Sequence, residues 1–108
     1  MKRTLTLTVV GALMASTSLA MAKELTVASW GGSYQEAQSN ALFEPAAANA
    51  GITVNQETYG GMSDVRLQVS SGQVTLDIVV AGSGSGARAA AEGVLEPEDY
   101  GVIDVTNI

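Results

Sequence analysis

Glu24-Leu-Thr-Val-Ala-Ser-Trp-Gly-Gly-Ser-Tyr34 sets the reading of this chain. Leu25 and Val27 alternate with polar neighbours, the period of a half-buried strand, and Gly31-Gly32 break the run. Ser33 then stands where a helix N-cap belongs, with Glu36 three residues on as the second half of a capping box. Tyr34, Ala37, Ala41 and Ala48 keep helical spacing. Pro45 interrupts them, which predicts a kink or restart with Pro45 in the first turn of the second piece. Gly51 ends the helical stretch in the usual C-terminal place.

The same alternation of elements continues downstream. Ile52–Glu57 alternates as a second strand, and Thr58-Tyr-Gly-Gly61 is a loop. Met62–Ser71 fits both periods. Helix is preferred there because Ser63 can cap it, Gly72 can end it, and a strand follows soon after. Leu76-Asp-Ile-Val-Val-Ala81 is a continuous apolar run, the pattern of a strand buried on both faces. Gly82–Gly86 reads as a loop and Ala87–Glu92 as a helix stopped by Gly93, with short extended pieces expected at Val94–Leu95 and Gly101–Val105. The order β-α-β-α-β-α predicts an α/β fold, a parallel sheet with helices on both faces. Ligands of such sheets sit beyond the carboxyl ends of the strands. That singles out the loops Trp30–Ser33, Thr58–Gly61 and Ala81–Gly86.

Composition narrows the function. A chain of 108 residues, 46% hydrophobic, makes one small domain at most. It has no cysteine and no histidine, so thiolate chemistry, Ser-His-Asp triads and the commonest metal ligands are excluded. The net charge of −6 argues against nucleic acid as a partner. Met1-Lys-Arg3, an apolar run from Leu5 to Leu19, and Ala20-Met-Ala22 form the three-part pattern of a signal peptide. The run is shorter and richer in Thr and Ser than the ~20 apolar residues of a spanning helix. Residues 1–22 are therefore expected to be removed by cleavage after Ala22, leaving a domain over 23–108 on the outer side of the inner membrane. That mature chain carries three basic residues, Lys23, Arg66 and Arg88, against eleven acids, a net charge of −8.

Two stretches carry candidate chemistry. Trp30, set before two glycines and followed by Tyr34, presents an aromatic face beside bare backbone. Such a face stacks on apolar ligands or attracts cations by roughly 0.5–2 kcal/mol, although the ring serves equally as an anchor packed beneath its loop. Gly82, Gly84 and Ala87 spell G-x-G-x-x-A, a variant of the dinucleotide fingerprint, with Asp104 downstream. This supports an alternative reading as a small nucleotide-binding α/β enzyme. It is weakened by export, by its place after the third strand rather than the first, and by the lack of a clear strand ending in an acidic residue after the glycine run. Glu96, Glu98 and Asp99 around Pro97 do not have the spacing of a calcium loop and read as solvated surface. Asp77 is expected to bond a neighbouring backbone group. No residue pattern calls for a cofactor or metal.

The ordered set ELTVASWGGSYQEAQ, FEP…AGITVNQETYGG, VRLQVSSGQVTLDIVV and AEGVLEPEDYGVI resembles the N-terminal part of periplasmic substrate-binding proteins of ABC transporters, most closely the spermidine/putrescine-binding type. The resemblance spans Glu24 to Ile108. It implies a type II periplasmic-binding-protein fold, of which this chain would be a partial first lobe with the second lobe absent. It also implies a monomeric, non-enzymatic protein that captures a small organic solute such as a polyamine and hands it to an inner-membrane permease. Carried over residue by residue, Trp30 and Tyr34 match the aromatics after the first strand, and Gly82 and Ser83 match the ligand-touching loop after the third.

Overall fold

The computed structural model describes residues 23–106; the expected signal peptide lies outside them. Three parallel strands, β1 (Glu24–Ser29), β2 (Thr53–Thr58) and β3 (Ile78–Val79), form one sheet in the order β2-β1-β3. β1 is central because it carries the tightest side chains. Val27, Ala28 and Ser29 are all buried, while β2 and β3 flank it with exposed positions. Its register is Ser29 against Thr58 on one side and Ala28 against Val79 on the other.

The first crossover runs from β1 to β2 through α1 (Gly32–Gln38), a π-helical segment (Ser39–Phe43) and α2 (Glu44–Ala50). The restart expected at Pro45 is real: Pro45 sits in the first turn of α2, and the widened π turn absorbs the break in the hydrogen-bond ladder. Gly51 closes α2 in the left-handed conformation, φ 65°. The second crossover, α3 (Met62–Ser71), leads to β3 and ends at Gly72, φ 70°. Because one crossover moves to the left of β1 and the other to its right, the right-handed rule sends their helices to opposite faces. The last helix, α4 (Ser83–Ala91), follows β3 and stops before Gly93, φ 75°.

Four expectations are corrected. Neither Ser33 nor Ser63 caps its helix. Each helix starts two residues earlier than such a cap would place it, behind Gly31 or Gly61, with no side-chain cap. Gly82–Gly86 is not a loop, since α4 already begins at Ser83. None of these three glycines has positive φ, and Gly86 N–H bonds the Gly82 carbonyl at 2.9 Å in a helical turn. The run Leu76–Ala81 pairs as strand only at Ile78–Val79, and Ile78 is 48% exposed rather than buried on both faces. β3 is an edge strand among the described residues, with nothing beyond it to pair with the rest of the run. The stretches Val94–Leu95 and Gly101–Val105 form no strand.

The small core lies between β3, α3 and α4, where Met62, Val65 and Ala89 are buried and Tyr59, Val79 and Leu95 pack around them. Asp77 does bond backbone, its Oδ2 accepting from Thr26 N–H at 2.8 Å and fixing the start of β3 on β1. No helix among the described residues is long and apolar enough to cross a membrane.

Candidate functional site at the carboxyl edge of the sheet

The strand order places a topological switch beside β1. The chain leaves β1 toward β2 on one side, whereas β3 lies on the other. In open α/β sheets the crevice between two such diverging connections receives ligands. At this edge lie the Trp30–Tyr34 turn, which follows β1, and the Gly82–Ser83 turn, which follows β3, on neighbouring strands paired at Ala28 and Val79.

Local chemistry explains how the aromatic wall forms. Gly31 has φ 76° and ψ −173°, a region essentially confined to glycine, and Gly32 follows at φ 57°. This pair turns the chain sharply from β1 into α1. A Cβ on Gly31 would also stand 3.1 Å from Thr58 Cγ2, so the turn lies tight against the end of β2. Trp30 and Tyr34, on either side of the turn, stack with centroids 5.0 Å apart and planes 25° from parallel. Both stay half exposed, Trp30 at 48% and Tyr34 at 49%. Trp30 is therefore no anchor beneath its loop. Its ring covers Tyr34 and leaves apolar area open to a partner.

The opposite wall is polar backbone. Gly82 is extended and precedes α4, whose first turn carries no acidic residue and no side-chain cap. The Ser85 hydroxyl is turned back onto the Gly82 carbonyl at 3.0 Å. The amino end of α4 thus presents N–H groups and the positive end of its dipole toward the carboxyl edge. α3 differs, because Asp64 in its first turn accepts from Gly60 N–H at 2.7 Å and places a carboxylate there. Against the dinucleotide reading, neither Gly82 nor Gly84 has positive φ, and a Cβ on either would meet no protein atom closer than 3.8 Å.

Tyr59 lies in the Thr58–Gly61 loop that the strand order singles out, although it is not one of the residues named for the site from sequence. β1 ends Ser29-Trp30-Gly31-Gly32 and β2 ends Thr58-Tyr59-Gly60-Gly61, the same hydroxyl-aromatic-Gly-Gly order, and the two strands are paired in register. That internal echo was a legible signal. The two aromatics nevertheless point to different jobs. Tyr59 packs against the core and its hydroxyl donates to the Val80 carbonyl, joining the ends of β2 and β3.

Two hollows flank this edge. An open groove of about 520 Å³ runs along β3, lined by Val65, Val69, Val74, Leu76, Ile78 and Leu95. It lies along the flank of β3 rather than beyond the strand ends. A smaller hollow of about 350 Å³ lies where α3 and α4 begin, between Met62, Ser85, Arg66 and Arg88. No group of three metal-ligating side chains occurs among the described residues. The carboxyls displaced from their ordinary pKa are Glu92, lowered chiefly by its hydrogen bond from Arg66, and Asp104, lowered by bonds from Thr106. Neither belongs to the strand-end loops.

These features describe an α/β sheet whose carboxyl edge carries a half-exposed aromatic pair and an uncapped helix start. The fold is the one found in periplasmic binding proteins. The chain is 34% identical, over 94 residues, to the gamma-aminobutyric acid-binding protein of Pseudomonas aeruginosa, covering 86% of this chain and 27% of that protein. Its structure matches the binding protein AgtB of Agrobacterium tumefaciens R10 in complex with agropinic acid, at TM-score 0.75 and 40% identity, over 81% of this chain and 28% of that one. It also matches MotA of A. tumefaciens B6 in complex with glucopine, at TM-score 0.71 and 42% identity, over 75% of this chain and 25% of that one. No family model matches the chain. The homologues are periplasmic binding proteins of ABC transporters rather than enzymes, and the chain spans about a quarter of their length.

Proposed function

We propose that this chain contributes the first part of a periplasmic solute-binding protein that delivers a small organic solute to an ABC permease. Its similarity to binding proteins at 34–42% identity supports that reading. Within it, the solute carries an aliphatic ammonium group held against Trp30 and Tyr34, with Gly82 and Ser83 forming the facing wall. The observation that carries this is the stacked, half-exposed aromatic pair at the switch point. Spermidine and putrescine offer such an ammonium, and so does gamma-aminobutyrate, the solute in the names of two of the similar proteins. The uncapped start of α4 favours the second, because a carboxylate is stabilised there and a polyamine has none to offer.

The affinity of this part alone is bounded. An exposed cation–π contact contributes ~0.5–1 kcal/mol, and each factor of ten in affinity takes ~1.4 kcal/mol. Tight capture needs a site that buries most of the solute, and the described residues supply two of its walls. The test is titration of the full chain with gamma-aminobutyrate, putrescine and spermidine, following the fluorescence of Trp30, its single tryptophan. Weak, millimolar quenching that is strongest with gamma-aminobutyrate supports the proposal. An equal response to putrescine moves the solute class to polyamines. Saturable micromolar binding would show the site to be complete within this chain, and no response to any ammonium compound would remove the aromatic wall from the reading.

A further inference from the structure

α1 buries none of its residues, so apolar packing does not hold this helix on the sheet. Side-chain amides do. Gln35 and Gln38, three apart and so on one helix face, both reach the strand ends. The Gln38 Oε1 accepts from the hydroxyl of Ser29, a fully buried side chain in β1, at 2.5 Å. The Gln35 Oε1 accepts from Gly31 N–H at 2.9 Å, and its Nε2 donates to the Glu57 carbonyl of β2 at 3.2 Å. One amide therefore joins the turn after β1, the first turn of α1 and the end of β2.

We propose that Gln35 is a positioning residue for the aromatic wall: it fixes the Gly31 peptide and so sets the direction in which Trp30 and Tyr34 leave the sheet. The two glycines at this turn have no side chains to restrain it, while Trp30 and Tyr34 directly precede Gly31 and Gln35 in sequence. The task requires an amide, since one end must accept from an N–H while the other donates to a carbonyl. Glutamate keeps the acceptor and loses the donor; methionine, of similar length, loses both. The importance of this role for solute capture rests on the proposed function, but the role itself is readable without any solute.

The experiment compares Gln35→Met, Gln35→Glu and the exposed control Glu36→Gln in the full chain. Far-UV circular dichroism establishes folding. Near-UV circular dichroism and acrylamide quenching of Trp30 report the stacked pair. Gln35→Met is expected to weaken the near-UV signal and to raise the population with a released turn roughly thirtyfold, the factor two net hydrogen bonds supply, against roughly fivefold for one. Gln35→Glu should fall between Gln35→Met and the parent, and Glu36→Gln should match the parent. If Gln35→Met does not fold, Gln35→Glu decides alone: an intermediate signal supports the role and a parental one overturns it. A folded Gln35→Met with parental spectra, or an equal change in Glu36→Gln, likewise overturns it. Loss of the aromatic signature without any solute binding would leave the positioning role standing and sink only the binding function.

Discussion

Gly31→Ala is the most telling single change to the candidate site, because two separate costs meet at that residue. The first is conformational. At φ 76° and ψ −173°, Gly31 lies in a region where a residue with a Cβ is strained by ~1–3 kcal/mol. The second is steric, for the new methyl would stand 3.1 Å from Thr58 Cγ2, inside ordinary van der Waals contact. Gly61 separates the two. It has φ 128° and ψ −173°, in the same glycine region, but a Cβ there meets nothing within 4 Å. Gly61→Ala should therefore report the backbone cost alone, about 2 kcal/mol. Gly31→Ala should exceed it by the Thr58 contact, and adding Thr58→Ser should recover ~0.5–1 kcal/mol of that excess as a coupling between neighbours. Urea titration followed by Trp30 fluorescence gives these differences. In a domain of this size each kcal/mol moves the melting temperature by ~4–8 °C, so thermal scans serve as a second measure. If Gly31→Ala costs no more than Gly61→Ala, or Thr58→Ser recovers nothing, the tight seating of the turn against β2 is wrong.

The core and the surface ion pair give further expectations. Ala89 is fully buried with Met62 and Val65, so Ala89→Leu should overpack the α3–α4 contact and lower stability by ~1–3 kcal/mol. Leu67→Ala, at a 68% exposed position of α3, should stay within ~0.5 kcal/mol of the parent. Glu92 is held below its ordinary pKa, first by the hydrogen bond from Arg66 and then by the charges of Arg66 and Arg88. A carboxyl depressed in the folded state stabilises it above its unfolded pKa and loses that contribution as pH falls through the folded value. Arg66→Gln should therefore be less stable than the parent at neutral pH and converge with it in acid. Added salt should shrink the neutral-pH difference, since the pair is exposed.

The parts of the fold that were legible in the sequence are those governed by local rules. The alternation over Glu24–Ser29, the stop glycines at 51, 72 and 93, and the Pro45 restart each follow from chemistry within a few neighbouring residues. The misread elements depend on what lies farther away. Ser33 and Ser63 looked like caps, but a positive-φ glycine at each N-cap, Gly31 or Gly61, allows a turn that starts the helix two residues sooner. Leu76–Ala81 looked doubly buried because its composition is that of an inner strand. Its actual exposure depends on whether neighbours cover it, which no local pattern encodes. At the candidate site, Trp30 and Tyr34 were visible as aromatics around a glycine turn. Tyr59 was visible only as part of the Thr58–Gly61 loop, and Gln35 not at all, because a tyrosine in a loop and a glutamine on a helix face acquire their partners only when three strand ends come together.

The two walls of the strand-end crevice are held by different forces. The Gly82–Ser83 wall stands on buried apolar contacts among Met62, Val65, Val79 and Ala89, with the Tyr59 hydroxyl tying β2 to β3 beneath it. Burial of this kind is non-directional and disrupted only by losing area to water. The Trp30–Tyr34 wall stands on α1, which has no buried residue and is attached through the amides of Gln35 and Gln38. Such bonds exchange readily with water, and each contributes only ~0.5–1.5 kcal/mol net. Segments with few buried apolar contacts open at lower free energy than the core, so the two walls differ in stiffness by construction. In the site proposed above, a solute would meet a firm backbone wall on one side and, on the other, an aromatic wall free to adjust by breaking and remaking side-chain amide bonds. The aromatic rings would carry the contact area there, while the glutamines behind them would set how far those rings travel.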